Sequence, residues 1–200
     1  MKRIGFFLSV FLATLHFIYA QDEPANIESI NQQRLNLQSR GMIVLGSWAA
    51  LNFAYSGYQL TQTEGKQYYF NQMNVFWNLV NAGIATTGFI SASNSPADIS
   101  VLETLNETQK FSSILLLNAG LDLAYISAGF YLKERAKNVQ KQKDRFTGYG
   151  NSLILQGGFL FVFDLAVYFL NNDLANKILQ KSENIQLAIS PVSFKAIINL

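Results

Sequence analysis

The sequence predicts an all-α integral membrane protein, a bundle of four transmembrane helices that follows an N-terminal signal peptide. The first observation is composition: 50% of the 200 residues are hydrophobic and 14% are charged, whereas roughly 25% are charged in soluble domains. The second is a set of four apolar stretches, each near the ~20 residues that a helix needs to cross a bilayer. The third is the distribution of basic residues between these stretches, which predicts an orientation.

The first twenty residues have the pattern of a secretory signal. "MKRIGFFLSVFLATLHFIYA" has a basic start, an apolar centre and a small last residue, Ala20, before the polar "QDEPAN", so cleavage is expected after Ala20. The alternative is an uncleaved anchor helix, which the bulky Ile18 near the cleavage position favours. Both interpretations place residue 21 outside the cytoplasm. Residues 21–40 then form an extracytoplasmic segment with a helix leading into the first span.

The four apolar stretches are predicted as the spans of the bundle, and none contains Lys, Arg or Glu. They are residues 41–60, 72–92, 112–132 and 152–171. The loop 133–150 holds six basic residues, whereas each of the two loops before it holds one. Positive charge in short loops prefers the cytoplasm, so loop 133–150 is predicted to be cytoplasmic. Three crossings from residue 21 lead to the same side, which places both chain ends outside the cytoplasm.

Two short segments outside the spans have patterns of their own. "SVLETLNETQKF" begins with Ser100 and Glu103 at capping-box spacing, which predicts a short amphipathic helix on the outer membrane surface. The C-terminal tail, residues 172–200, begins with a helical turn or two. It then alternates apolar and polar residues around Pro191, which favours a small β-like element.

Each predicted span carries one stripe of small and polar residues. On the second span the asparagines recur at steps of three and four residues, which places them on one face of a helix. The stripes are Trp48, Asn52, Tyr55, Ser56 and Gln59 on the first span; Asn71, Asn74, Asn78, Asn81, Ala85 and Gly88 on the second; Asn118, Asp122, Tyr125 and Gly129 on the third; and Gly150, Gly157, Asp164 and Asn171 on the fourth, with Gln156 beside it. Because lipid cannot satisfy polar groups, we expect the stripes to face one another in a shared polar seam.

Six residues of the polar seam form the candidate intramembrane polar or ion site. They are Asp122, Asp164, Asn52, Asn78, Asn81 and Asn118. Hydrogen bonding between packed helices accounts for the asparagines. An isolated ionised carboxylate at mid-bilayer costs at least ~2.5–3.5 kcal/mol, so each acid should be protonated or face a cation or water. We expect Asp122 and Asp164 to approach one another, with Asn52 and Asn81 nearby at similar depth.

The residue types behind common catalytic sites are missing. The chain has no cysteine, and its single histidine, His16, lies in the signal peptide, which excludes thiolate catalysis and leaves the mature chain without a Ser-His arrangement. An intramembrane aspartyl hydrolase is disfavoured, because "LD" and "FD" stand at Asp122 and Asp164 instead of the "YD" and "GxGD" of such enzymes. We therefore expect no enzyme, no metal, no cofactor and no nucleic-acid partner.

Two functions remain compatible with the sequence. The first is a non-enzymatic scaffold or accessory subunit whose polar seam holds the bundle together, with the lipid bilayer as partner and a second copy or another membrane protein beside it. The alternative is a proton or small-cation pathway that uses Asp122 and Asp164, with Asn52, Asn78 and Asn81 as neutral ligands. Four helices from one copy make a thin wall, so this alternative needs an oligomer.

Three quoted stretches, with the signal peptide before them, resemble a known layout. "GMIVLGSWAALN", "NVFWNLVN" and "LILQGGFLFVFDL" make the chain similar to an uncharacterised family of small four-span bacterial membrane proteins. The resemblance covers most of residues 21–171. It implies the four-helix fold and a bacterial inner-membrane location, and it transfers no chemistry.

Overall fold

Four long helices make up the described part of the chain. The computed structural model describes residues 26–198, with side chains for residues 26–180, and these residues contain no strand. The helices are α1 (Ile27–Leu60), α2 (Gly65–Asn94), α3 (Val101–Arg135) and α4 (Lys143–Ile198), and a 3-10 turn, Gln140–Gln142, precedes α4. The all-α prediction is confirmed. The predicted signal peptide and residues 21–25 lie outside the described residues.

Side-chain caps set where α1 and α3 begin. The Asn26 side chain accepts a hydrogen bond from the Ser29 backbone N–H at 2.8 Å, and the Asn26 N–H donates to the Ser29 hydroxyl at 3.1 Å. Such reciprocal capping satisfies amides that the first helical turn leaves unpaired. The predicted helix before the first span is therefore confirmed from Ile27, and it is continuous with that span.

The prediction of a separate surface helix after Ser100 is wrong. Ser100 does cap a helix, accepting from the Glu103 N–H at 3.2 Å, but the helix continues to Arg135 as α3. The Asn171 amide of α4 donates to the Thr108 carbonyl at 2.8 Å, and Thr104 and Thr108 are buried. This segment packs against the bundle instead of lying flat because its polar face has partners there.

The predicted β-like element in the tail is also wrong. The backbone remains helical to Ile198, so α4 has 56 residues. A strand needs a neighbouring strand for its backbone hydrogen bonds, and two isolated strands are marginal. A helix satisfies its own backbone, and here it continues the helix already formed by the fourth apolar stretch.

Helix α4 packs against each of the other three helices. It forms an antiparallel pair with α3, as α1 does with α2, and it runs parallel to α2. Helices α2 and α3 meet through the rings of Trp77 and Tyr125, whose centroids are 4.6 Å apart. The two hairpins are thus joined mainly along α2 and α4.

The bundle exposes many large apolar side chains and buries both apolar and polar ones. One leucine or phenylalanine from each helix illustrates the surface: Leu51 (62% exposed), Leu79 (62%), Leu117 (65%) and Phe169 (65%). The interior holds asparagine, glutamine, serine and aspartate from all four helices. Among the described helices, two, α3 and α4, are long and apolar enough to cross a membrane by length and composition. The buried asparagines of α2 and the polar residues of α1 lower the mean hydropathy of those two helices.

Beyond the apolar stretches, the helices extend into a region that we call the outer collar, formed by residues 27–40, 101–111 and 172–180. Asn31 ties α1 to the α2–α3 connection, because its amide donates to the carbonyls of Pro96 (3.1 Å) and Ala97 (2.8 Å). The buried Arg34 donates to the Asn31 side chain at 2.8 Å. Burial lowers the pKa of the Arg34 guanidinium, and the Glu107 carboxylate acts in the opposite direction. The outer collar is thus a packed structure that buries polar groups together with apolar side chains such as Ile30 and Ile178.

Candidate functional site

The two acidic residues of the polar seam form a pair in the interior. Asp122 on α3 is 3% exposed and Asp164 on α4 is 5% exposed, and the two carboxyl groups lie close enough to interact. Because ionised carboxylates only accept hydrogen bonds, a direct hydrogen bond between them would need a proton on one of the two. The second Asp122 oxygen, Oδ2, is buried without a hydrogen-bond partner among the described residues.

Glycines bring α3 and α4 into backbone contact on one side of the acid pair. A Cβ at Gly157 would lie 2.9 Å from the Asp122 carbonyl oxygen, and a Cβ at Gly150 would lie 2.6 Å from the Gly129 carbonyl oxygen. Positions 150, 157, 164 and 171 on α4 are spaced by seven residues and face the α3 positions 129, 122, 115 and 108, also spaced by seven. This close antiparallel packing runs along the stretches of α3 and α4 that carry the two acids.

A second group of polar side chains, which we call the amide cluster, ties α1, α2 and α4 together. Its members are Trp48, Ser56, Asn74, Ser152 and Gln156, all buried. The Trp48 indole N–H donates to Gln156 Oε1 at 2.9 Å, and the Gln156 amide donates to Asn74 Oδ1 at 3.0 Å. The Ser152 hydroxyl donates to the same Asn74 oxygen at 2.6 Å, and the Asn74 amide donates to the Ser56 hydroxyl at 3.3 Å. Asn74 is therefore the centre of the cluster.

The four asparagines of the predicted site lie apart from the acid pair in their hydrogen bonding. Asn52 donates to the Trp48 carbonyl at 2.9 Å and Asn78 donates to the Asn74 carbonyl at 2.8 Å, each within its own helix. Asn81 is buried and its amide nitrogen has no partner among the described residues. Asn118 is only half-buried. The structure therefore brings the two acids together, and the placing of Asn52 and Asn81 beside them stays a prediction.

Two positions depart from the predicted stripes. Tyr55 is 47% exposed and points out of the bundle, although it was expected to face inward. Ser152 belongs to the amide cluster but was not predicted, because a lone serine near the start of an apolar stretch gives little signal. Asn74 and Gln156 were on or beside the stripes, and their central role follows only from how the helices pack.

The interior offers hydrogen-bonding groups but few ligands for a metal. In residues 26–180, no group of three or more acidic, histidine or cysteine side chains is placed to hold a metal ion. The Oδ1 atom of Asn78, the Nδ2 atom of Asn81 and the Oδ2 atom of Asp122 are buried polar atoms that the described protein residues leave unpartnered. The polar seam is therefore fully hydrogen-bonded at the centre of the amide cluster, whereas one oxygen of the acid pair has no hydrogen-bond partner among the described residues.

Comparison with known proteins gives one match. The family that matches is described as "Family of unknown function (DUF6992)", and the match covers residues 44–165, which contain the acid pair and the amide cluster. No curated protein and no solved structure matches the chain.

Proposed function

Because the chain belongs to DUF6992, a family of unknown function, we propose its role from its own geometry: a non-enzymatic membrane scaffold or accessory subunit whose four helices all cross the bilayer. The partners in this proposal are the lipid bilayer and either a second copy or another membrane protein. The location is a bacterial inner membrane.

The observation that carries the proposal is a partial reversal of polarity: many large apolar side chains are exposed, while polar side chains share the interior with an apolar core. Large apolar side chains of all four helices point outward, while Asn74, Gln156 and Asp164 are buried. In water this arrangement would expose apolar surface and bury polar groups at a cost, whereas in lipid both placements are favourable. The reversal extends to α1 and α2, and therefore supports four spans and not only the two most apolar helices.

Helix length and charge support the proposed topology. Helix α3 has 35 residues, or about 52 Å at 1.5 Å per residue, which exceeds the ~30 Å of hydrocarbon. The excess would project as the outer collar. At the opposite end, the six basic residues of loop 133–150 favour the cytoplasm.

Single cysteines introduced at two matched lysines test this topology, since the natural chain has no cysteine. Lys110 in the outer collar and Lys137 in the basic loop are 71% and 69% exposed, and each pairs with a glutamate three residues earlier. We expect an impermeant maleimide to label Lys110→Cys in intact spheroplasts, and Lys137→Cys only after permeabilisation with detergent. Labelling of Lys137→Cys alone in intact spheroplasts would contradict the orientation, and equal labelling of both would contradict insertion.

The amide cluster supports a scaffold role. Its hydrogen bonds connect three helices through side chains that partner one another, as packing interactions in membrane bundles do. The loops are short: four residues separate α1 from α2 and six separate α2 from α3. Such loops leave little room for a soluble active site at either face of the bundle.

A second candidate, a proton or small-cation pathway, is favoured by one observation. The two carboxyl groups of the acid pair are buried close to each other, and Asp122 Oδ2 has no partner among the described residues. A buried carboxyl pair that shares one proton is a group that can exchange it. Asn52, Asn78 and Asn81 would supply neutral oxygens, and an oligomer would complete the wall of the pathway.

Substitution of the acids separates the two candidates. Asp122→Asn and Asp164→Asn keep the shape of each side chain and remove its titratable group. For a scaffold we expect both variants to accumulate normally, and wild-type protein in vesicles to pass protons, sodium and potassium no faster than protein-free vesicles. Asp173→Asn, which removes a carboxylate that is 66% exposed on the same helix as Asp164, is the control. If wild-type protein passes ions, and if both buried substitutions abolish this flux while Asp173→Asn preserves it, the scaffold proposal is wrong and the pathway is supported.

A further inference from the structure

A cavity of about 870 Å³ lies at the end of the bundle that carries the basic loop. We call it the end cavity. Its walls are the α1–α2 turn, the beginning of α2, the 3-10 turn and the first turn of α4. Its volume falls within the range of small-molecule sites. The polar seam does not contribute to it, so neither candidate function uses it.

Charges of both signs line the end cavity. Lys141 and Arg145 are the cations, and Glu64 and Asp144 are the anions. Among the described residues, none of these four side chains forms an ion pair with another side chain. By contrast Lys137, in the same loop, pairs with Glu134. The Arg145 guanidinium carbon lies 5.3 Å from the centroid of the Tyr149 ring, a contact that leaves its charge without an anionic partner. The cavity therefore presents two cations and two anions that form no ion pair among the described side chains.

The walls of the end cavity are held by close packing. Gly65 has φ +55°, and a Cβ there would lie 3.1 Å from the Asp144 carboxylate, so the glycine allows the α1–α2 turn to approach α4. Gly148 packs against the backbone of α2 at Lys66. The Tyr149 hydroxyl donates to Gln72 Oε1 at 2.7 Å. Because these contacts fix α2 against α4, the cavity is largely formed before any ligand binds.

Aromatic side chains complete the end cavity on its membrane side. Tyr68 and Tyr69 line it, and their rings meet edge to face with centroids 5.5 Å apart. Tyrosine is enriched where membrane helices pass from hydrocarbon to headgroups. In the proposed topology both tyrosines lie at the start of the second span, so the cavity opens at headgroup level.

We propose that the end cavity binds a zwitterionic group carrying a phosphate and an ammonium, supplied by a phosphatidylethanolamine-type lipid of the cytoplasmic leaflet. Lys141 and Arg145 hold the phosphate, and Glu64 and Asp144 hold the ammonium. A purely anionic headgroup would be repelled by both carboxylates. A bare cation would leave both basic side chains unpaired. The lipid source rests on the membrane insertion proposed above.

Lipid retention by the full chain in detergent micelles tests the site. Phosphatidylethanolamine and phosphatidylglycerol with identical acyl chains are supplied in equal amounts, and native mass spectrometry counts what each variant retains. We expect wild type to prefer phosphatidylethanolamine about fivefold or more. The double substitution Lys141→Gln with Arg145→Gln should lower the retention of phosphatidylethanolamine about 30-fold, because each basic residue contributes ~1 kcal/mol to lipid binding. Glu64→Gln with Asp144→Asn should abolish the preference.

The control is Lys137→Gln with Glu134→Gln, an ion pair of the same loop that does not line the cavity; it should retain lipid as wild type does. All four cavity side chains are exposed, so the variants should keep the helical content of wild type. Equal retention of the two lipids by wild type, or a preference that survives Glu64→Gln with Asp144→Asn, would overturn the proposal.

Soluble glycerophosphoethanolamine distinguishes the source of the ligand. We expect it to compete only at concentrations far above those of the lipid, because it lacks the acyl chains that hold the headgroup in place. Competition at equal concentration would overturn the lipid source in favour of a soluble ligand. Failure of insertion would appear in the cysteine labelling and not in this competition, so the two proposals fail separately.

Discussion

Replacing Asn74 with alanine should lower the free energy of unfolding by about 2–5 kcal/mol. The Asn74 side chain makes three hydrogen bonds to other helices, with Ser56, Ser152 and Gln156, and such bonds contribute roughly 0.6–1.7 kcal/mol each. Alanine would remove all three and leave the glutamine and serine groups without this partner. Titration of the purified protein from mild detergent into dodecyl sulfate, followed by tryptophan fluorescence, measures the change.

Asn118→Ala is the matched control. Asn118 is also an asparagine within an apolar stretch, but it is half-buried and makes no side-chain hydrogen bond to a described residue. We expect its substitution to change the free energy of unfolding by less than about 0.5 kcal/mol. Equal destabilisation by the two substitutions would refute the central role of Asn74.

Two adjacent glycines on α4 should respond to alanine with opposite signs. At Gly157 the added Cβ would lie 2.9 Å from the Asp122 carbonyl oxygen and 3.0 Å from Ile126 Cγ1, whereas nothing lies within 4 Å at Gly158. Backbone cannot move aside as a flexible side chain does, so Gly157→Ala should destabilise the α3–α4 pair by about 1–3 kcal/mol. Gly158→Ala should stabilise the helix by up to about 1 kcal/mol, since alanine is the better helix former.

The same detergent titration measures the free energy of unfolding of both glycine variants. Because both replace a helical glycine with alanine, the gain in helix propensity cancels when the two values are subtracted. A loss of stability at Gly158 as large as that at Gly157 would mean that the residue change itself, and not the contact with α3, is responsible. A stable Gly157→Ala variant would show that α3 can move away from α4 at little cost.

The sequence was most informative where one helix face is buried by two neighbours. Asn71, Asn74, Asn78 and Asn81 recur at helical spacing, and all four are buried as predicted, because α2 packs between α1 and α4. The approach of Asp122 to Asp164 followed from the same reasoning about inward faces.

The sequence was less informative on α3, which packs mainly on one neighbour. Its interface follows two lines of seven-residue spacing, one through Leu115, Asp122 and Gly129 and one through Ala119 and Ile126. Asn118 lies beside these lines and stays half-buried. A polar residue in an apolar stretch shows that a helix has an inward side, but the width of that side depends on how many helices cover it.

Helix ends were harder to predict than helix faces. The cap at Ser100 was identified, yet the helix it starts joins the third span without a break. The alternating residues of the tail favoured a strand, but α4 continues through them to Ile198. In both cases a local pattern was outweighed by continuity with a long helix whose backbone is already satisfied. In the first case a distant residue also contributes, because Asn171 lies 63 positions from Thr108, the residue whose carbonyl it binds.

The position of α4 against all three other helices has a consequence for synthesis. The chain is made from its N-terminus, so α4 is the last of the four described helices to be synthesised, and its Ser152 and Gln156 supply two of the partners of Asn74. Until α4 is made, Asn74 lacks these two partners and α3 lacks its contacts with the α4 glycines. We therefore expect a chain interrupted before residue 143 to hold three helices whose polar faces are incompletely paired, so that assembly of the bundle waits for α4.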